Sequence, residues 1–276
     1  MHDQQFRQLL DLFGLSWRGY RKVRKGVKKR IRRHMQELRC QNTKEYFLAL
    51  DTDKELKSQC ERLLTVSISR FFRDRNLWQA LENQILPGIV DKNKEGVKVW
   101  FAGCACGEEV YSFTILWDRL KDRFECLPKL EILATDMNPV YLDKAQVGLF
   151  SRSSLKEVSD EVRDKYFKLQ EEGQQYELLP VAKKDILWKV HSLLHDPLGR
   201  DFHLIFSRNN LLTYYKDELK EPAFQKVIDC LVLGGFLIIG THEKLPLEIN
   251  NLMRFRGYPY ILQSRGLLDP ASSQTV

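Results

Sequence analysis

Apolar positions recur with two different periods along this chain. Between residues 20 and 35 they fall at Tyr20, Val23, Val27, Ile31 and Met35. Those steps of three and four lay one apolar stripe along a helix, and Lys and Arg fill the rest of its circumference. Further helices are predicted over 43–50, with Thr43 as N-cap, and over 54–64. Helices this short bury little by themselves and have to pack on something. The stretch 65–74 is polar, then aromatic, then charged, and reads as a joint. A helix over 76–85 leads into Pro87-Gly88, and 91–96 reads as a loop.

From Val97 short apolar runs alternate with helical periods. Strands are predicted over 97–102, 130–135, 202–207 and 236–240, and helices over 107–120, 139–147, 154–167 and 217–231. Runs at 176–179 and 187–194 predict a small antiparallel insert at about 168–192, and 258–263 predicts an edge strand. The tail from Asp269 is expected to be disordered. Alternating β and α units imply a doubly wound, mainly parallel α/β sheet with helices on both faces. The expected organisation is a small all-α N-terminal domain, 1–76, followed by an α/β domain, 77–276.

Charge sharpens the picture of the first unit. Residues 1–40 hold twelve Lys and Arg against three acids, whereas the whole chain carries only +7. The basic excess therefore belongs to the N-terminal helices. An acidic partner docking on the helix at about 18–33 is the expectation, and a solvated helix face is the plain alternative. No apolar run reaches the roughly 18 residues that a membrane helix needs, so no membrane insertion is expected. Met1 to Gln5 lacks the basic and apolar regions of a secretory leader. Six scattered cysteines suit reduced thiols in a cytoplasmic protein and not a disulfide frame. Only Cys104 and Cys106 lie close together, without the second pair or the histidines that a metal site wants, so no metal is expected.

The densest chemistry lies where the first strand ends. Gly103-Cys104-Ala105-Cys106-Gly107-Glu108-Glu109 turns from strand into helix, and the next strand ends in Asp136. A glycine turn lets a ligand approach bare backbone, and an acid at the second strand's tip can hold a ribose diol. An NTPase loop would need a lysine after its last glycine, and none follows Gly107. A dinucleotide site would need three glycines, and Glu108 and Glu109 would repel a pyrophosphate at the helix N-terminus. Two acids there favour a cation, such as the ammonium or sulfonium of S-adenosylmethionine, with Asp136 accepting from the ribose hydroxyls. NAD stays as the competing ligand.

Four motifs extend this reading. The turn Gly103 to Glu109 is followed by Tyr111-Ser112, the second strand ends Ala134-Thr135-Asp136, Phe71-Phe72-Arg73 precedes the α/β domain, and Arg208-Asn209 is followed by an apolar stretch and Tyr214. With these the chain resembles the CheR family of protein-glutamate O-methyltransferases over nearly its whole length, basic N-terminus and small β insert included. The resemblance implies a Rossmann-like methyltransferase fold and transfer of a methyl group from S-adenosylmethionine to a glutamate side chain. The products would be a methyl ester and S-adenosylhomocysteine, and the substrate an acidic, helical, chemoreceptor-like protein.

The resemblance also implies roles. Thr65, Ser67 and Arg73 would lie beside the cofactor and the incoming acid. Gly103, Ala105 and Met137 would line the cofactor, Glu109 would hold its amino group and Asp136 its ribose. Asp196, with Leu194, would approach the adenine. Arg208, Asn209 and Tyr214 would line the transfer site, with Arg73, Tyr214 and Arg208 as the catalytic set. Cys106, Val110 and Ser207 depart from the family's usual Thr, Pro and Cys, and one extra residue after Asn209 leaves Tyr215 as an alternative to Tyr214.

The chemistry suits these residues. A carboxylate acceptor is already ionised at neutral pH, with an unperturbed pKa of about 4.3. Its methylation needs alignment and desolvation and no general base. Arg73 can orient the acid by a two-pronged hydrogen bond. Amine methylation of a nucleic-acid base typically uses an Asn/Asp-Pro-Pro-aromatic clamp, which Ser207-Arg208-Asn209-Asn210 does not supply. Two other functions stay in play: a methyltransferase of nucleic acid that grips phosphates with its basic segment, and a module that binds cofactor without turnover. Plainer roles compete as well: Arg73 in an ion pair between domains, one tyrosine of 214 and 215 in the core, Asp136 capping the helix near Pro139, and His242-Glu243 as strand-end structure.

Overall fold

The computed structural model describes residues 1–170, 173–195, 199–246, 249 and 251–265. Five helices open the chain: α1 (Asp3–Leu12), α2 (Trp17–Tyr20), α3 (Arg24–Glu37), α4 (Thr43–Thr52) and α5 (Lys54–Leu64). The predicted stripe faces inward across a bend at 21–23. Tyr20, Val27, Ile31 and Met35 are buried in one cluster with Phe6, Leu9, Tyr46 and Leu64. The N-cap of α4 is Asn42, one residue before the expected Thr43. Its carboxamide oxygen accepts from the N–H groups of Lys44 and Glu45, two donors that a helix start leaves unpaired.

The next helical run overrides the expected break at Pro87-Gly88. Helix α6 (Arg75–Ala80) passes through a π turn, Leu81–Ile85, into α7 (Leu86–Lys92). Pro87 falls in the first turn of α7, where its missing N–H is tolerated. The expected 91–96 loop shrinks to 93–95.

Strands and helices then alternate: β1 (Gly96–Ala102), α8 (Glu108–Leu120), β2 (Lys129–Asp136), α9 (Pro139–Val147), β3 (Leu149–Ser151), α10 (Asp160–Tyr166), β4 (Phe167–Leu169), β5 (Gln175–Leu178), β6 (Ile186–Val190), β7 (Phe202–Phe206), α11 (Leu211–Tyr214), α12 (Asp217–Ile228), β8 (Leu231–Ile238), β9 (Leu252–Phe255) and β10 (Tyr258–Ser264). Seven of the strands form one sheet in the order β6-β2-β1-β7-β8-β10-β9. Its first five members are parallel, and β10 and β9 are added antiparallel. The doubly wound α/β architecture is as expected, with a small antiparallel sheet beside it and helices before it.

Three expectations need correction. The small sheet, β3-β5-β4, spans 149–178, so of the two runs expected in an insert at about 168–192 only 176–179 belongs to it, as β5. Strand β6 instead extends the main sheet beside β2, with Ile186 opposite Ile132 and Val190 opposite Asp136. Ile186 and Trp188 of β6 pack against the main sheet's apolar layer as well as the small sheet's cluster, where the Trp188 ring centroid lies 5.7 Å from that of Tyr111 on α8, so the strand covers the joint between the two. Strand β10 is internal, because β9 covers it. Of the predicted helix 154–167 only α10 forms, and Ser159 is its N-cap. The predicted tail from Asp269 lies outside the described residues.

Strand β1 shows how the core is shared. Val97, Val99 and Phe101 enter one apolar layer with Phe113 and Leu116 of α8, while Trp100 and Ala102 enter the other with Phe224 and Val227 of α12. That alternation is the period of a strand covered on both faces. The strand order runs from β1 to β2 and β6 on one side and to β7 and β8 on the other. Such a reversal opens a crevice at the carboxyl ends of the strands, between β1 and β7. Among the described residues no helix is long and apolar enough to cross a membrane.

Candidate active site

The turn after β1 is built around one carbonyl and one carboxylate. The N–H groups of Gly103 and Cys104 both donate to the carbonyl of Thr135, each at 2.8 Å. Gly103 has φ +87°, and a Cβ there would stand 1.8 Å from Nδ2 of Asn210, so the carboxamide of Asn210 occupies the space a side chain would need. Ala105 also holds a positive φ, 48°, and its N–H donates to Oδ2 of Asp136 at 3.0 Å. Oδ1 of Asp136 accepts from the N–H of Asn138 at 2.9 Å. Burial raises the carboxyl of Asp136 above its ordinary value, and these backbone donors pull it back. Asp136 does not cap the following helix, because Asn138 does so through Val140 N–H. The carboxylate remains available on the crevice wall.

Asn138 also ties this loop to the N-terminal helices. Its Nδ2 donates to the carbonyl of Arg62 (3.2 Å) and to Oγ1 of Thr65 (3.0 Å), and the Thr65 hydroxyl lies 3.0 Å from that of Tyr141. The joint is pinned on its other side too. Phe71 inserts between Phe150 and Phe167 of the small sheet, at 4.8 and 5.0 Å between ring centroids. The N–H of Phe72 donates to Ser112 Oγ at 2.9 Å, and the indole N–H of Trp78 donates to the carbonyl of Arg73 at 2.8 Å. The backbone of Arg73 is thus held while its half-exposed side chain reaches the mouth of the crevice.

Arg208 follows β7 and is almost wholly enclosed, its side chain only 3% exposed. Its guanidinium bridges two carboxylates, donating from Nη1 to Glu109 and from Nη2 to Asp74. The next residue, Asn209, has φ +52°, and its N–H donates to Oε2 of Glu243 at 3.0 Å. Glu243 also accepts from Gly240 N–H and from the Thr213 hydroxyl, each at 2.6 Å. It fastens the loop that carries Asn209 to the end of the sheet.

Ten residues expected at the site line one crevice: Thr65, Arg73, Gly103, Ala105, Glu109, Asp136, Met137, Arg208, Asn209 and Tyr214. Ser67 is not among its lining residues, although its neighbours Val66 and Ile68 are. Asp196 lies outside the described residues. Both tyrosines line the crevice, but they look different ways. Tyr215 reaches toward the sulfur of Met137, at 3.8 Å. Tyr214 sits near Arg73 and Glu243, and burial together with the Glu243 carboxylate pushes its phenol up to about 12. Glu61, Tyr141, His191 and Asn210 add polar groups to the lining, to which Tyr20 and Leu64 of the N-terminal helices also contribute. Glu61, Tyr141 and His191 fall in no spaced motif, and Asn210, though inside the stretch from Arg208 to Tyr214, carries no role there that its spacing reveals.

Residues 67–261 match the family model described as CheR methyltransferase, SAM binding domain. The chain belongs to the CheR methyltransferase family. It is 36% identical over 201 residues to the chemotaxis protein methyltransferase of Listeria monocytogenes, which covers 73% of this chain and 74% of that one. The corresponding protein of Listeria innocua is equally similar. The chemotaxis protein methyltransferase 2 of Vibrio cholerae is 28% identical over 243 residues, 83% of this chain and 82% of its own. This CheR-family protein is therefore an S-adenosylmethionine-dependent methyltransferase.

The crevice fits that cofactor. Its wall offers the carboxylates of Asp136 and Glu109, acceptors that suit the hydroxyls of a diol and an ammonium, beside the glycine turn at Gly103. Asp136→Ala is expected to weaken cofactor binding by about 1–3 kcal/mol, the cost of losing hydrogen bonds to a charged group. Calorimetric titration with S-adenosylhomocysteine measures it, and an unchanged affinity would contradict the assignment.

Glu108, beside this site, carries a separate expectation. It is buried, its Oε2 has no partner among the described residues, and burial pushes its carboxyl from the ordinary 4.5 up to about 7. A carboxyl with a raised native pKa holds its proton more tightly folded than unfolded, so its contribution to stability is full below pH 4.5 and is lost as the pH climbs through 7. Glu108→Gln should therefore stabilise the protein at pH 8 by about 3 kcal/mol and leave stability at pH 4.5 nearly unchanged. Denaturant titration at both pH values checks this, and an equal gain at both would refute it.

Proposed function

We propose that this CheR-family enzyme methylates glutamate carboxylates on an acidic helical segment of a protein of the chemoreceptor kind. One observation carries the reading. Arg73 and Tyr214 stand where the cofactor crevice opens into a second groove, and that groove is basic. Arg18, Arg21 and Lys22 line its N-terminal wall, and Lys220 and Lys244 line the opposite one. Its acid, Glu243, is already engaged by three donors.

In this reading residues 1–76 dock the substrate and bring Arg73 to it, and 77–276 hold the cofactor and complete the transfer site. The docking face is narrower than the segment 18–33. Arg24 and Lys28 pair with Asp3, and Arg30 donates to the carbonyls of Leu63 and Thr65. The exposed cations at 18, 21, 22, 25 and 29 remain for an acidic partner, and those at 18, 21 and 22 line the groove. A nucleic-acid substrate is disfavoured by Trp17, whose ring is covered by the guanidinium of Arg7 at 4.4 Å and is not open for a base to stack on.

The residues divide the work. S-adenosylmethionine, when bound, supplies a methyl group activated by sulfonium. Arg73 grips and orients the incoming carboxylate by paired hydrogen bonds. Tyr214, a phenol protonated at neutral pH as tyrosines ordinarily are and held further from ionisation by burial, can donate to the same acid without acting as a base. The basic groove concentrates acidic segments at the mouth. Reversal of charge at Arg18, Arg21 and Lys22 to Glu is expected to raise the acceptor KM about tenfold or more and to leave cofactor affinity unchanged. The assay is transfer of labelled methyl from the cofactor to protein in an extract of the cell that makes this enzyme. Label that protease leaves intact and nuclease removes would overturn the protein-substrate reading.

A further inference from the structure

We propose that the segment from Gly14 to Tyr20 positions the transfer site, beyond any part it takes in docking. The inference rests on the reading that Tyr214 faces the incoming carboxylate. Helix α11 ends at Tyr214, and its end is gripped by the opposite terminus of the chain. Leu15 forms an antiparallel bridge with Tyr215. The N–H of Ser16 donates to the carbonyl of Tyr214 at 2.7 Å, and the N–H of Lys216 donates to the carbonyl of Gly14 at 2.9 Å. These are the two bonds of a minimal strand pair, and they fix the backbone on both sides of Tyr215. An ion pair between Lys216 and Asp11, at 2.6 Å, lies alongside.

Gly19 makes the approach possible. A Cβ on Gly19 would stand 2.2 Å from the carbonyl oxygen of Thr213 and 3.1 Å from Cδ1 of Tyr214. The nearer obstacle is backbone, which cannot rotate aside as a side chain would. One added methyl has to push the α11 turn away from α2. Tyr20 then supports the tyrosine ring itself. It is buried, its ring centroid lies 5.0 Å from that of Tyr214, and its hydroxyl donates to the carbonyl of Leu64 at 3.0 Å. Leu64 precedes Thr65, which Asn138 ties to the loop of Asp136. One line of contacts thus runs from the acceptor-side tyrosine, through the N-terminal helices, to the acid on the cofactor side. Gly19 and Tyr20 are positioning residues, and the helical region is a working part of the transfer site for any acceptor.

Gly19→Ala tests this in the full chain. The rate of methyl transfer to extract protein at saturating cofactor should fall about tenfold or more, as expected for displacement of an aligned group by an ångström. Calorimetric Kd for S-adenosylhomocysteine should stay within about twofold, because no crevice residue is changed. Tyr214→Phe should lower the rate as well, and the double variant should be no slower than the slower single one, the non-additivity of two changes acting on one group. Rates that multiply would overturn the proposal. Tyr20→Leu, which removes the ring support without a backbone clash, provides the same rate and double-variant comparison should Gly19→Ala fold poorly, without the Kd criterion because Tyr20 itself lines the crevice. A structural readout separates the two layers of the argument. With 3-fluorotyrosine at position 214, Gly19→Ala or Tyr20→Leu should shift its fluorine resonance. A shift with no rate loss in Tyr214→Phe would remove Tyr214 from the chemistry yet leave the positioning intact. An unmoved resonance would remove the positioning itself.

Discussion

Arg208→Ala is expected to destabilise the protein by about 3–5 kcal/mol, the cost of removing one member of a buried ion network and leaving its partners uncompensated. Arg208 bridges Asp74 and Glu109, and its side chain is 3% exposed against 27% and 19% for its partners. Removal strands Glu109 on the crevice wall without its counter-charge and leaves Asp74 with only the looser pairing to Arg73 at 4.0 Å. The loss should appear as a drop in melting temperature of roughly 10 °C for a chain of this size. Cofactor affinity should fall too, since Glu109 lines the crevice and loses the group that orients it. Arg208→Lys keeps the charge but cannot fork between two carboxylates, and should recover only part of the stability. A melting temperature for Arg208→Ala within about 2 °C of the parent would show that the bridge contributes nothing.

Arg73→Ala is expected to lower turnover by about two orders of magnitude, as loss of an aligning donor does, with little change in stability or in cofactor Kd. The reasoning is positional. The side chain of Arg73 is 40% exposed and its nearest carboxylate, Asp74, is 4.0 Å away, so it is not consumed by a buried pair as Arg208 is. Its backbone, by contrast, is fixed by Trp78 and by the anchored Phe71-Phe72. A held backbone and a guanidinium at the mouth suit a residue that meets a substrate. Arg73→Lys should retain a fraction of the rate, because a point charge attracts a carboxylate without aligning it. Single-turnover rates with pre-bound cofactor measure the effect, and a rate equal to the parent's would remove Arg73 from the transfer.

The parts of the molecule that could be read from its sequence are those held by local constraints. The turn at Gly103 and the acid at Asp136 announce themselves because a glycine turn after one strand and an acid at the tip of the next fall at the spacing of a nucleotide-binding βαβ unit. The stripe from Tyr20 to Met35 is legible for the same reason, its period being that of the helix it makes. What was hidden depends on partners far along the chain. Strand β6 has the same short apolar pattern whether it joins the insert or the main sheet, and its partner β2 lies some fifty residues back along the chain. The Asp74–Arg208–Glu109 bridge joins residues 134 and 99 positions apart, with no spacing to betray it. Glu243 was read as strand-end structure, and its bonds to Asn209 and Thr213 give that structure a function in holding the loop. The contact of Gly19 with Thr213 left no trace in the sequence beyond a glycine where a helix would prefer alanine.

The ester itself is the most direct test of the account. Protein labelled in the methyl group by this enzyme in extract is held in mild alkali, and volatile label is collected as methanol. Glutamate methyl esters hydrolyse under those conditions, so the account predicts that most protein-bound label is released, and that Arg73→Ala protein yields almost none. Label that stays on the protein through the alkali, as a methylated amine does, would contradict a carboxylate acceptor.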